Sequence, residues 1–147
     1  MQVLLEIREL NRYYQKGNRT FQALDNISLD IFRGELLCVL GPSGCGKSTL
    51  LRQIAGLDKP DSGAVYMNGR EITRPDTSRI MIFQDFNQLF PWKTVAENVA
   101  FPLKVNKTKS SSAERKADAL KYLEMVKLKD SAYDMPHQLS GGMKQKA

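Results

Sequence analysis

The run Gly41-Pro42-Ser43-Gly44-Cys45-Gly46-Lys47-Ser48-Thr49 constrains this chain more than any other stretch. It fits G-x-x-x-x-G-K-[ST], the pattern of a phosphate-binding P-loop. The three glycines let the backbone curl so that successive N–H groups point inward at anion oxygens, with no side chains in the way. Lys47 adds a fixed positive charge for the β- and γ-phosphates of a nucleotide, and Ser48 offers a hydroxyl to Mg2+. A helix beginning near Lys47 would aim its positive dipole end at the same anion.

The flanks agree with that reading. Leu36-Leu37-Cys38-Val39-Leu40 is a continuous apolar run and predicts a strand buried on both faces of a parallel sheet. Thr49–Ala55 predicts a short helix stopped at Gly56. Strand, glycine loop and helix come in the order that phosphate binding requires.

At 147 residues the chain is sized for one domain with a real core. No apolar run is long enough to span a bilayer, and Met1–Leu10 carries charges where a signal peptide would be apolar. Both point to a soluble intracellular chain. Its two cysteines, Cys38 in the expected strand and Cys45 in the loop, suit a reducing compartment and form no disulfide framework. Cys45 has two readings, a thiol made reactive beside bound phosphate or simply a small tolerated residue. Basic residues outnumber acidic ones 22 to 16, for a net charge of +6. Lysines alternate with acids between Lys104 and Lys129, and no aromatic–basic alternation marks a base-stacking surface. The charge therefore reads as a solvated face, with no nucleic-acid partner.

In chain order, Val3–Ile7 predicts a short strand, and Ala23–Ile31 predicts another with Ile27, Leu29 and Ile31 on one face. Between them, Tyr13–Asn18 reads as a polar turn carrying two aromatics. Two such strands ahead of the loop suggest an added antiparallel β-layer. Ala64–Met67 meets Asn68-Gly69, a strong hairpin signal, before Glu71-Ile72. Arg79–Phe83 predicts a further buried strand ending at Gln84, whose amide would lie on the ligand-binding edge of a parallel sheet. Phe86–Trp92 is an aromatic-rich loop. Thr94-Val95-Ala96-Glu97 reads as a capping box opening a helix that ends near Pro102. Ser111-Ser112-Ala113-Glu114 opens a longer helix with Ala117, Leu120 and Leu123 on one face. Residues 1–84 thus read as a mixed α/β core and residues 85–147 as a helical subdomain.

Leu139-Ser140-Gly141-Gly142-Met143 opens one more helix. Ser140 is a good N-cap, and the glycines bare backbone N–H groups at its positive end. On these residues alone, an ordinary capped helix start explains the run equally well.

Taken together, these motifs resemble, nearly end to end, the ATP-binding subunits of ABC transporters. Gly41–Thr49 matches the family's Walker A motif, and Leu139–Met143 its LSGGQ-type signature, with Met143 in the last place. Gln84 matches the Q-loop, and Tyr14 the aromatic A-loop residue, with Tyr13 as second choice. All four occur in family order. The resemblance implies an α/β P-loop NTPase core with an antiparallel β-layer, followed by the start of an α-helical subdomain. It implies ATP and Mg2+ as cofactors. Tyr14 would stack on adenine, or else simply pack half-buried. Gly41, Pro42, Ser43, Gly44, Cys45, Gly46, Lys47, Ser48 and Thr49 would hold the phosphates, and Ser48 and Gln84 would reach the metal. Leu139, Ser140, Gly141, Gly142 and Met143 would meet the ATP held by a second ATP-binding subunit in a head-to-tail dimer. His137 fits the family's Pro-His-Gln-Leu-Ser-Gly-Gly pattern and reads as structural.

Leu89-Phe90-Pro91-Trp92, Thr94-Val95 and Glu97-Asn98-Val99 are most similar to importers of the nitrate, sulfonate and taurine type. That similarity implies integral membrane permease subunits and, indirectly, a solute-binding protein as partners. It also implies a cytoplasmic position, peripheral on the inner face of the membrane. Phe86–Trp92 would receive the permease's coupling helix or pack the two subdomains together.

The family pattern continues with a Walker B aspartate, a catalytic glutamate, a D-loop and a switch histidine, none of which has a counterpart in residues 1–147. The expectation is a part truncated before the Walker B strand, with no complete catalytic set, marginally stable and at best a weak nucleotide binder. One alternative is a non-catalytic nucleotide-binding or regulatory module that dimerises with an intact ATPase subunit. An unrelated P-loop kinase is disfavoured by the signature, by Gln84 and by the want of an arginine-rich lid.

Overall fold

The computed structural model describes residues 2–83, 85, 88–105 and 111–147. The chain divides into two compact units, Met1–Met81 and Ile82–Ala147. Gln84 and Phe86 lie outside the described residues.

The first unit is an antiparallel four-stranded sheet with one helix packed on it. Strands β1 (Val3–Lys16), β2 (Arg19–Phe32), β3 (Ser62–Met67) and β4 (Arg70–Glu71) lie in the order β2-β1-β3-β4. The strands expected at Val3–Ile7, Ala23–Ile31 and Ala64–Met67 are present, but β1 and β2 run much longer than their alternation suggested. The cause is a pair of bulges. Leu5 and Ile7 obey the two-residue period, and Glu9, at φ 47°, inserts one residue so that Leu10 returns to the buried face. Asn26, at φ 45°, does the same for Leu24 and Ile27 in β2. The register pairs Leu5 with Ile31, Ile7 with Leu29 and Leu10 with Ile27. Asn68 and Gly69 both take positive φ in the turn between β3 and β4, as a two-residue hairpin requires.

Tyr13 and Tyr14 belong to β1, opposite Gln22 and Phe21, and the hairpin turn falls at Gly17-Asn18. The expected polar turn over 13–18 is thus shorter, because cross-strand aromatic pairing extends the ladder through Tyr14.

Helix α1 (Lys47–Ala55) ends at Gly56 in the left-handed conformation, as its sequence indicates. Leu50 and Ile54, four residues apart, join Leu5, Ile7, Leu10, Leu24 and Val65 in the core. Gln53 is 2% exposed, and neither polar atom of its amide has a hydrogen-bond partner among the described residues. A buried amide without partners costs about 1–3 kcal/mol. Gln53→Met, of similar length, is therefore expected to raise the urea midpoint, a gain of about 1 kcal/mol. An unchanged or lower midpoint would mean that the amide is satisfied in solution.

Two expected strands are not formed. Leu36–Leu40 and Arg79–Phe83 pair with no strand among the described residues. Leu36, Leu40, Ile80 and Ile82 are 85–90% exposed, and Cys38 is exposed as well. A doubly buried parallel strand needs hydrogen-bonded neighbours and covering layers, and the apolar runs alone supply neither.

In the second unit, α2 (Val95–Val105), α3 (Ser112–Met125) and α4 (Gly141–Lys146) surround Val95, Ala96, Leu123, Leu128, Ala132 and Leu139. The capping box expected at Thr94 forms, and the structure shows a second one opening α3 at Ser111. Thr94 N–H donates to Glu97 Oε2 at 2.8 Å, and Ser111 N–H donates to Glu114 Oε2 at 2.6 Å. Helix α2 continues past Pro102 to Val105, although the proline has no N–H to donate to the helix. On α3 the buried positions are Ala119 and Leu123, with Leu120 packed beside them; Ala117 is exposed. No helix among the described residues is long and apolar enough to cross a membrane.

Candidate functional site

The glycine loop is shaped by three local constraints. Gly46, at φ 95°, is the N-cap of α1, and a Cβ placed there would lie 2.3 Å from the Ala23 carbonyl oxygen. Only glycine can bring the loop this close to β2. Gly44, at φ 84°, makes the preceding left-handed turn in open space. The Lys47 ammonium folds back over the loop, donating to the Gly41 carbonyl at 2.8 Å and the Pro42 carbonyl at 2.7 Å. It also lies 3.6 Å from Cys45 Sγ.

These constraints leave the start of α1 open. Gly46 supplies no side-chain cap, and the first intrahelical bond runs from Leu50 N–H to the Gly46 carbonyl at 2.9 Å. The N–H groups of Lys47, Ser48 and Thr49 precede that bond and have no partner within the helix. Donors converging with a lysine at a helix N-terminus form an anion cradle. Ser43 and Ser48 are exposed, and Thr49 is half-buried. No group of three or more His, Cys, Asp or Glu able to hold a metal occurs among the described residues. The donor set nevertheless fits Mg2+, which ordinarily takes one or two protein oxygens and completes its shell from phosphates and water. Ser48 offers such an oxygen, and Gln84 lies outside the described residues.

Tyr14 is half-buried. Its hydroxyl donates to Asp58 Oδ2 at 2.7 Å, and its ring centre lies 5.6 Å from that of Phe21. Phe21 is two residues from Ala23, against which Gly46 packs, so the aromatic pair and the loop share one end of β2. Tyr13 is 42% exposed, and its N–H donates to Asp61. Asp58 and Asp61 carried no motif in the sequence. Only the fold brings them, from the turn after α1, to β1.

In the second unit, the Ser140 hydroxyl accepts from Met143 N–H at 3.3 Å and caps α4. Leu139 is buried, and Met143 packs against the same cluster, which gives the last place of that run a packing task. Gly141 and Gly142 are exposed, with nothing within 4 Å of where a Cβ would sit. His137 is exposed in a 3-10 turn, Pro136–Gln138. Gln138 fixes that turn by accepting from Met135 N–H at 2.7 Å.

Asn98 was not singled out for a role by the sequence. It is 7% exposed, and it stitches the aromatic loop onto α2. Its Oδ1 accepts from Phe90 N–H at 2.7 Å, and its amide donates to the carbonyls of Phe90, Lys93 and Thr94. Phe90 packs against Trp92 and Phe101, while Trp92 remains 70% exposed. The Glu97 carboxyl is held below the usual range by the Thr94 N–H, with Lys93 and Lys116 adding to the effect.

Residues 24–147 match the family described as ABC transporter. The chain is 46% identical over 142 residues to a nitrate import ATP-binding protein of Synechocystis, covering 97% of this chain and 52% of that one. It is 44% identical over 146 residues to an aliphatic sulfonates import ATP-binding protein of Bacillus subtilis, covering 99% and 54%. It is 49% identical over 146 residues to a spermidine/putrescine import ATP-binding protein of Nitrosomonas eutropha, covering 97% and 38%. Among solved structures, a dimeric ATP-binding cassette in a post-hydrolysis state bound to ADP and Pi aligns with a TM-score of 0.84 at 36% identity. That alignment covers 97% of this chain and 66% of the solved one. The chain spans about half the length, or less, of these curated relatives.

Proposed function

The chain belongs to the ABC transporter family and has the P-loop fold of its ATP-binding cassette, and from that premise we propose that it is the nucleotide-binding part of a subunit that powers solute import. One observation carries the reading. The Lys47 ammonium is held by two carbonyls of the glycine loop, and the helix that Lys47 opens has no side-chain cap on its first N–H groups. Gly41–Thr49 would hold the phosphates of ATP, and Ser48 would offer its hydroxyl to Mg2+, joined by Gln84. The metal, when bound, would neutralise charge between the β- and γ-phosphates. Tyr14 would stack on the base.

Ser140, Gly141 and Gly142 would face the γ-phosphate held by a second subunit in a head-to-tail dimer. The open space at both glycines supports this role, since a nucleotide can approach their backbone without meeting a side chain. Exposed Trp92, on a loop pinned by Asn98, supports permease docking there. Among substrates, solutes of the nitrate, sulfonate or taurine type are favoured by Pro91-Trp92 and by the nitrate and sulfonate relatives. In this reading the subunit lies on the inner face of the membrane.

Hydrolysis needs a general base to polarise the attacking water, and such a group contributes about 10^2–10^4-fold. No Asp-Glu pair follows the loop within residues 1–147. The expected result is that this chain binds Mg-ATP but releases phosphate no faster than buffer, followed by a coupled colorimetric assay. Turnover that disappears in Lys47→Ala would overturn the second half of that statement.

A further inference from the structure

The hydroxyl of Tyr14 and one face of its ring are both held by a charged cluster that the nucleotide site does not otherwise use. Asp58 Oδ2 accepts from the Tyr14 hydroxyl at 2.7 Å, and Asp58 Oδ1 accepts from Arg12 Nη2 at 3.0 Å and from Lys59 N–H at 3.0 Å. The Arg12 guanidinium carbon lies over the Tyr14 ring, 4.7 Å from its centre. Arg12 Nη1 reaches Asp61 Oδ2 at 3.2 Å, and the same oxygen accepts Tyr13 N–H at 2.7 Å. The Arg12 and Asp58 side chains are only 22% and 21% exposed, so solvent screens this pair less than an ion pair on the open surface.

A tyrosine ring has two soft torsions, and it can present a face reproducibly only if both are held. Packing alone leaves a strand tyrosine free to pivot. Here the hydroxyl is anchored to a carboxylate, and the carboxylate is itself fixed by a guanidinium that lies on the ring. The anchor sits in the turn after α1, so the ring is tied to the helix whose first turn carries the phosphate cradle.

We propose that Asp58 and Arg12 are positioning residues that fix the Tyr14 ring relative to α1, so that base stacking and phosphate binding act on one nucleotide together. The proposal rests on the reading of Tyr14 as the base-stacking residue. A base would take the ring face that Arg12 leaves. Specificity for a nucleoside triphosphate over a bare one would then depend on a cluster remote from the phosphates.

The test compares binding of Mg-ATP with binding of magnesium inorganic triphosphate, which has no base, by the full chain and four variants. Tyr14→Ala is expected to weaken ATP about tenfold, within the range for loss of one base–aromatic stack. Asp58→Ala frees the hydroxyl and Arg12 together, and a loss of about fivefold is expected, a large part of the same stacking contribution. Tyr14→Phe keeps the ring and removes only its anchor, with a loss of about threefold expected. Asp58→Asn retains an acceptor for the hydroxyl and is expected to stay within about twofold of the parent. Triphosphate affinity should be the same in all five proteins.

Three results would overturn the proposal. Equal losses for ATP and triphosphate in Asp58→Ala would make the cluster purely structural. Unchanged ATP binding in Asp58→Ala and Tyr14→Phe, with loss in Tyr14→Ala, would leave the stacking role standing and remove the positioning role. Unchanged ATP binding in Tyr14→Ala would remove both. Should Asp58→Ala fail to fold, judged by its far-UV spectrum, Tyr14→Phe decides the matter alone.

Discussion

Replacing Lys47 with alanine is expected to weaken Mg-ATP binding by about 100-fold, the equivalent of a charge-assisted hydrogen bond of about 3 kcal/mol. Lys47 is held over the loop by the carbonyls of Gly41 and Pro42, at 2.8 and 2.7 Å. That is where an incoming phosphate would meet its positive charge. The loss should be specific to binding, because Lys47 opens α1 and the helix is secured to the sheet further along, through Leu50 and Ile54. The far-UV spectrum should therefore match that of the parent. Lys47→Arg is expected to recover little, since a planar fork cannot replace a compact ammonium between two carbonyls. Equilibrium dialysis with labelled ATP measures both variants. Parent-like affinity in Lys47→Ala would mean that the loop does not take the phosphates.

Gly46→Ala is expected to damage stability and binding together. Its φ of 95° disfavours any side chain, and the added methyl would lie 2.3 Å from the Ala23 carbonyl oxygen and 3.2 Å from Leu24 Cδ2. A backbone carbonyl in a strand cannot step aside, so either α1 shifts or β2 does. Strain and clash together should cost about 3 kcal/mol, read as a lower urea midpoint. A shift of α1 also misaligns the N–H groups of its first turn, so ATP binding should fall as well. Gly44→Ala is the internal control. It shares the positive φ, but nothing lies within 4 Å of its Cβ, so the cost should be only about 1 kcal/mol. Equal losses in the two variants would show that conformation, and not the contact with β2, sets the requirement for glycine.

Local chemistry made much of this structure legible from sequence. Helix α1 stops at Gly56, the Asn68-Gly69 turn has both residues at positive φ, and Thr94 and Ser111 each open a helix with the glutamate three residues on. Each of these is decided within a few residues, where stereochemistry leaves few choices. Strand extent was less legible, because the bulges at Glu9 and Asn26 break the two-residue period that reveals a buried face. The runs Leu36–Leu40 and Arg79–Phe83 read as buried strands, but burial requires neighbours, and neither run has a strand partner among the described residues. Within the candidate site, the glycine loop was visible as a contiguous pattern. The anchoring of Tyr14 was not, since Arg12 and Asp58 are 46 residues apart and only the fold of β1 against the turn after α1 joins them.

Titration calorimetry of Mg-ATP into this chain, with ADP and AMP as competitors, bears most directly on whether Gly41–Thr49 is a nucleotide-phosphate site. The expected result is one saturable site, competed by ADP and far more weakly by AMP, because Lys47 addresses the phosphates beyond the first. An absence of binding heat, or AMP competing as well as ADP, would contradict it.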